Sequence, residues 1–198
     1  LVPIGPLTNI AAAIRREPKI VGAVKGVYIM GGAILHSGNI TPQAEFNIYC
    51  DPHAAHIVFH SGMPITLVPL DVTYQTLLTQ ENVDELLQIS SPISRFISDS
   101  TRFVMEFLED NQQVMGCALN DPLALAALFN FHLLVTHELF VDVDISCGVS
   151  MGKTFADFYH IENKPANMKV ALGVKAREFI DMFMASMKRL SKSLQDSS

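Results

Sequence analysis

Three polar residues set close together are the first place to look for chemistry. The stretch GNITPQAEFNIYCDPHAA, residues 38–55, carries Asn39, Glu45 and Asn47 around a single phenylalanine, Phe46. An asparagine offers a donor and an acceptor, and a glutamate offers two acceptor oxygens. That mixture suits a polyhydroxylated ligand such as a sugar with adjacent hydroxyls. The local alternative is that Asn39 and Asn47 only satisfy turn backbone. Asp121, in LNDPLALAALF, is a second point. It either caps a helix or offers its carboxylate to a metal or a sugar. His53, His56 and His60 in DPHAAHIVFH follow helical spacing. Zinc sites of three ligands draw on a nearby carboxylate or cysteine, so the trio is read as a partly exposed helix face. GVSMGKT, residues 148–154, has one residue too few before its Gly-Lys-Thr to form a phosphate-binding loop. No G-x-S-x-G elbow supports a serine hydrolase.

These residues need elements to position them. GVYIM, residues 26–30, reads as a strand ending at Gly31-Gly32, and PITLVPL, residues 64–70, as a second. LFVDVDI and NMKVAL read as two more, and LVPI as the end of a buried strand. Thr8 or Asn9 is expected to cap a helix that stops before Pro18. Asp51-Pro52 and Asp121-Pro122 both read as helix starts, with an acceptor at the cap and proline in the first turn. Helices are expected over 80–89 and 93–108. An amphipathic helix over 174–190 closes the chain, with Phe179, Met182, Phe183 and Met187 facing inward. Short apolar strands separated by helices predict an α/β fold, a mostly parallel sheet flanked by helices, with no domain boundary over residues 1–198. Ligands of such sheets sit at the carboxyl ends of the strands. The 38–55 stretch follows the first full strand there.

Composition narrows the function classes. Of 198 residues, 49% are hydrophobic and 17% charged, which argues against disorder. The formal charge of −6, without a Lys/Arg cluster, argues against nucleic acid as a partner. No apolar run reaches bilayer length. Cys50, Cys117 and Cys147, odd in number and far apart, fit neither a disulfide framework nor a zinc module, and suggest a reducing, cytoplasmic setting.

Three blocks, GPLTNIAAAIRREPKI, YIMGGAILHSGNITPQAEFNIYCDPHAA and LNDPLALAAL, together resemble the inosine-uridine-preferring nucleoside hydrolases. VDVDISCGVSMGKTFADF and ENKPANMKVAL resemble that family's C-terminal portion, so the similarity covers essentially all 198 residues. The resemblance implies a Rossmann-like nucleoside hydrolase fold and hydrolysis of the N-glycosidic bond of a ribonucleoside to ribose and free base. It implies Ca²⁺ as cofactor and assembly as a homo-dimer or tetramer. It assigns Asn39, Glu45 and Asn47 to ribose hydroxyls and Met30 and Phe46 to the pocket wall. Asp121 would bind both calcium and ribose, and the backbone carbonyl of Ile4 would bind calcium. Asn120 stands where many members place a histidine that protonates the leaving base, and an amide does not donate a proton as imidazolium does. Ser150-Met151 and Lys175 are lesser departures. The family's Asp-Thr-Asp-x-Gly-x-Asp-Asp opening is missing from these 198 residues, and the single aspartate of LDVT does not replace it. The expectation is therefore a domain lacking its N-terminal part. Its rival is a catalytically inactive or merely nucleoside-binding protein.

Overall fold

The computed structural model describes residues 1–195. In chain order the elements are α1 (Thr8–Arg16), α2 (Ile20–Ala23), β1 (Val27–Met30), α3 (Phe46–Cys50), α4 (Pro52–Phe59), β2 (Ile65–Val68) and α5 (Leu70–Thr73). They continue with β3 (Leu77–Leu78), α6 (Gln80–Leu87), α7 (Pro92–Gln112), β4 (Cys117–Ala118) and α8 (Asn120–Phe129). A 3-10 turn (Phe131–Leu133), β5 (Leu134–Leu139), β6 (Val141–Val143), β7 (Thr154–Ala156), β8 (Met168–Val174) and α9 (Ala176–Gln195) complete the chain. By its contacts the described chain divides into two compact units, Leu1–Thr73 with Asn120–Val174, and Tyr74–Leu119 with the segment from Lys175 onward.

The first unit is built on a four-stranded sheet in the order β1-β2-β8-β5. β1, β2 and β8 run parallel, and β5 pairs antiparallel with β8. A parallel sheet has to be covered on both faces, and every residue of β2 is buried. Val27 and Ile29 of β1 join the core made with Leu7 just before α1, Ala11 of α1 and Ala54, Val58 and Phe59 of α4. Strand residues alternate between faces, so Tyr28 and Met30 point the other way. Tyr28 meets Phe131 edge-on, at 6.5 Å between ring centres. α8 packs on β1 and touches α5. The α/β class and the mostly parallel sheet expected from the sequence are what the structure has.

Several local expectations are corrected. Leu1–Ile4 forms no regular strand. Its carbonyls nevertheless lie along the open edge of β1, where Tyr28 N–H donates to Leu1 at 2.9 Å and Met30 N–H to Pro3 at 3.0 Å. Neither Thr8 nor Asn9 caps α1. The cap position is Leu7, without a side-chain bond, because the Thr8 hydroxyl donates to Asp51 across the chain at 2.6 Å. The strand β5 went unread, since LLVTHEL lacks a clean alternation.

The second unit contains α6, α7 and α9, which pack on one another, and the antiparallel pair β3–β4. Reciprocal side-chain caps start α6 (Thr79 with Asn82) and α7 (Ser91 with Ser94). On α9, Phe179 is buried as expected, but Met184 is the other deeply buried apolar residue, and Met182, Phe183 and Met187 are half-buried. No helix among the described residues is long and apolar enough to cross a membrane.

Candidate active site

The carboxyl ends of β1 and β2 are joined by backbone. Gly31 N–H donates to Val68 at 3.3 Å, and Leu70 N–H donates to Gly32 at 2.9 Å. The 31–45 loop leaves from this edge. Gly32 turns it with φ +82°, where a side chain would press on Thr154 at 3.1 Å. Gly38 sits so close to the carbonyls of Thr41 and Ala44, 2.2 Å from where a Cβ would stand, that no side chain fits.

Three side chains pin this loop. Asp71 accepts the N–H groups of Ile34, Leu35 and His36 at 2.8, 2.7 and 3.2 Å. Thr154 Oγ1 accepts from Ala33 N–H at 2.8 Å and donates to its carbonyl at 2.9 Å. Glu45 accepts from Gly32 N–H at 3.0 Å. Sequence reasoning missed Asp71 and Thr154 as loop anchors. Asp71 stands in LDVT, which does not replace the family's aspartate-rich opening, and Thr154 ends GVSMGKT, which does not make a phosphate loop. Both lie far along the chain from the backbone they hold.

The three polar residues of the loop meet at the start of α3. Asn39 Oδ1 accepts from Phe46 N–H at 2.8 Å. Glu45, at the cap position, accepts from Asn47 N–H at 2.8 Å and Ile48 N–H at 3.1 Å. Asn47 Nδ2 donates to the Met30 carbonyl at 3.2 Å and to its sulfur at 3.3 Å. The backbone-satisfying role left open by the sequence is thus realised. It does not use every polar atom. Among the described residues Asn47 Oδ1 and Asn39 Nδ2 take no hydrogen bond. Glu45 accepts three bonds, and a carboxylate takes roughly four. Met30 is buried beneath Asn47, while Phe46 is half exposed beside it.

Glu45 is 2% exposed. Burial pushes its carboxyl above the ordinary value, although three backbone N–H groups pull it back, and the charge of Asp121 adds to the push. Asp121 lies in the first turn of α8, not at its cap: the helix already starts at Asn120. Its half-buried carboxylate receives no hydrogen bond or ion pair among the described residues, and burial raises its pKa as well. The capping alternative for Asp121 is therefore not realised. The Asn120 Oδ1 beside it is buried and has no hydrogen-bond partner among the described residues. Ile4 follows Pro3, whose carbonyl meets the last residue of β1, so it stands at the same end of the strand.

Calcium binds about six to eight oxygens, several of them from carboxylates. Among the described residues no group of three possible His, Cys, Asp or Glu ligands includes Asp121. On this donor set the residues present do not fit a calcium shell by themselves.

Residues 1–181 match the family model described as inosine-uridine preferring nucleoside hydrolase. A pyrimidine-specific ribonucleoside hydrolase RihB of Escherichia coli is 37% identical over 174 residues, 88% of this chain and 55% of that protein. The solved purine-preferring ribonucleoside hydrolase of Gardnerella vaginalis superposes with a TM-score of 0.89 at 37% identity, over 96% of this chain and 60% of that one. A solved plant nucleoside hydrolase gives 0.88 at 27% identity, over 94% and 61%. The chain thus spans little more than half the length of these relatives. With the loop edge, the α8 carboxylate and the parallel sheet all in place, the chain belongs to the inosine-uridine preferring nucleoside hydrolase family, hydrolases acting on N-glycosidic bonds.

Proposed function

We propose that the intact protein hydrolyses a ribonucleoside to ribose and free base, and that the carboxyl edge of β1 and β2 is where it grips the sugar. The observation that carries this reading is Asp121. It is a desolvated carboxylate that no donor among the described residues satisfies, beside a loop whose polar atoms are only partly used. Burying a carboxylate without a partner costs stability unless a ligand repays it.

Cleavage breaks the bond between C1′ and the base nitrogen while water supplies hydroxyl to C1′ and a proton to the base. Positive charge spreads over C1′ and the ring oxygen as the bond breaks. Anionic carboxylates beside the ring, Glu45 and Asp121, stabilise that charge more in the transition state than in the ground state. Asn47 Oδ1 accepts a ribose hydroxyl, Asn39 Nδ2 donates to one, and the remaining lone pair of Glu45 accepts another. Met30 and Phe46 wall the site. Asn120 holds no transferable proton at neutral pH, so the departing base takes its proton from elsewhere. Asp121 and the Ile4 carbonyl are the groups we assign to the calcium that the resemblance implies, and two ligands fall short of its shell. Residues 1–198 act here as one nucleoside hydrolase-like domain, and assembly into a dimer or tetramer in the cytoplasm belongs to the same proposal.

Asn120 and the lone Asp121 favour a second reading, a protein that binds nucleoside without cleaving it. Release of free base from inosine and uridine, with and without chelator, separates the two. The hydrolase reading expects release that chelation abolishes. Saturable ribose binding without any release would replace it with the binding reading.

A further inference from the structure

The histidines of α4 acquire in the fold what the sequence withheld. His56 lies in the carboxyl half of α4 and His60, one turn on, is its C-cap, and β6 brings Asp142 against them. His56 Nδ1 is 2.8 Å from Asp142 Oδ1, and His60 Nε2 is 3.1 Å from Asp142 Oδ2. The three ligand atoms lie within 4.8 Å of one another. His53, one turn earlier, is exposed and takes no part. We propose that His56, His60 and Asp142 form a binding site for a divalent transition metal, zinc above all, separate from the sugar-gripping edge.

The chemistry favours zinc over calcium or magnesium. Two imidazoles and one carboxylate suit a borderline-soft ion, whereas the hard ions take oxygen alone. Zn–N and Zn–O bonds of about 2.0–2.1 Å put the ligand atoms of a tetrahedron about 3.3 Å apart. Each ring nitrogen stands within roughly half an ångström of that spacing from its own carboxylate oxygen, 2.8 Å to Oδ1 for His56 and 3.1 Å to Oδ2 for His60. The ion takes the place of the hydrogen bonds between the two rings and the carboxylate, binding through the nitrogens and the oxygen that now face one another.

The cluster is held in shape before any ion arrives. His60 lies against Phe140, 5.9 Å between ring centres, and the two imidazoles lie 4.4 Å apart. Asp142 Oδ1 is fixed by Val143 N–H at 2.8 Å. Asn167, in the same hollow, ties the β6 backbone to the end of α4 through Val141 and the Phe59 carbonyl. Lys164 also lines the hollow, but its ammonium sits 4.6 Å above the Phe140 ring and 3.3 Å from Glu162, which offsets its charge. The histidines are partly exposed. Three protein ligands with a wet fourth position describe an open site rather than a closed structural one.

Calorimetric titration of the chelator-stripped protein with Zn²⁺ alone is the test, with Co²⁺ as a visible-absorption probe of coordination. The proposal expects one saturable site, lost or weakened by roughly 100-fold in H60Q and in H56Q, since even outer-shell changes cost up to that factor. Addition of Zn²⁺ should move the imidazole NMR signals of His56 and His60 and leave those of His53 in place. That readout needs no variant to fold. Absence of saturable binding, or binding that persists in both variants with His53 shifting equally, would overturn the site and leave only an adventitious ion.

Discussion

Asp51 and Asp121 sit in the same dipeptide, Asp-Pro, at the start of two helices, and the fold treats them in opposite ways. Asp51 is the N-cap of α4 and accepts from Ala54 N–H at 2.9 Å. The Thr8 hydroxyl, with that N–H, holds its carboxyl below the ordinary range. Asp121 falls two positions later in its helix, meets no donor among the described residues, and is pushed upward by burial. One aspartate is spent on the fold and the other is kept in reserve at some expense. A residue that stabilises nothing it touches is a candidate for ligand binding, and the contrast locates the site without reference to any relative.

The largest effect that sharpens this contrast comes from D121N in the intact protein. It should lower kcat/KM by about 100-fold or more, as removal of a charge-stabilising group does, while leaving Tm unchanged or higher, because the amide has no charge to desolvate. A fall in Tm with intact kcat/KM would place Asp121 among the structural residues and dissolve the comparison. N47A comes next. It deletes the open Oδ1 and should reduce kcat/KM by about tenfold, the worth of a hydrogen bond made more strongly in the transition state. A near-normal value returns Asn47 to its backbone role on Met30.

D51A should do the reverse of D121N, costing about 1 kcal/mol of stability through the lost cap and sparing kcat/KM; chemical denaturation read beside kinetics checks both halves. The smallest effect lies in the pH dependence of stability. Asp51 has a folded pKa below its ordinary value near ~3.9, so its contribution is present above that value and is lost as the pH falls through the depressed one. Asp121 has the opposite sign: stability is greatest below its ordinary value and declines as the pH rises through the raised one. D51N should flatten the acid limb, and D121N should remove the decline above it. Identical pH–stability curves for the two variants would contradict the assignment.

The sequence made the broad frame readable because its signals are local. β-branched and aromatic runs such as VYIM and ITLV, bounded by Gly or Pro, read as short strands between turns, and Pro52 with Asp51 marks a helix start unaided. Asn39, Glu45 and Asn47 stood out for the same reason, being close neighbours on one loop. The unread parts depend on distant pairing. Nothing near Asp71 or Thr154 shows that they hold the backbone of residues 33–36. Nothing near His56 and His60 announces Asp142, which arrives only when β6 lies beside α4. Asp121 is the instructive case, since its local pattern is that of a cap and only the two-residue offset of α8, which starts at Asn120 rather than Pro122, withdraws the donors.

The position of ribose in a crystal of the intact protein soaked with the sugar tests the central claim most directly. Ribose hydroxyls should lie on Asn47 Oδ1, Asn39 Nδ2 and Glu45, with the Asp121 carboxylate beside the ring. Ribose bound elsewhere, with Asp121 still without a ligand, would contradict it.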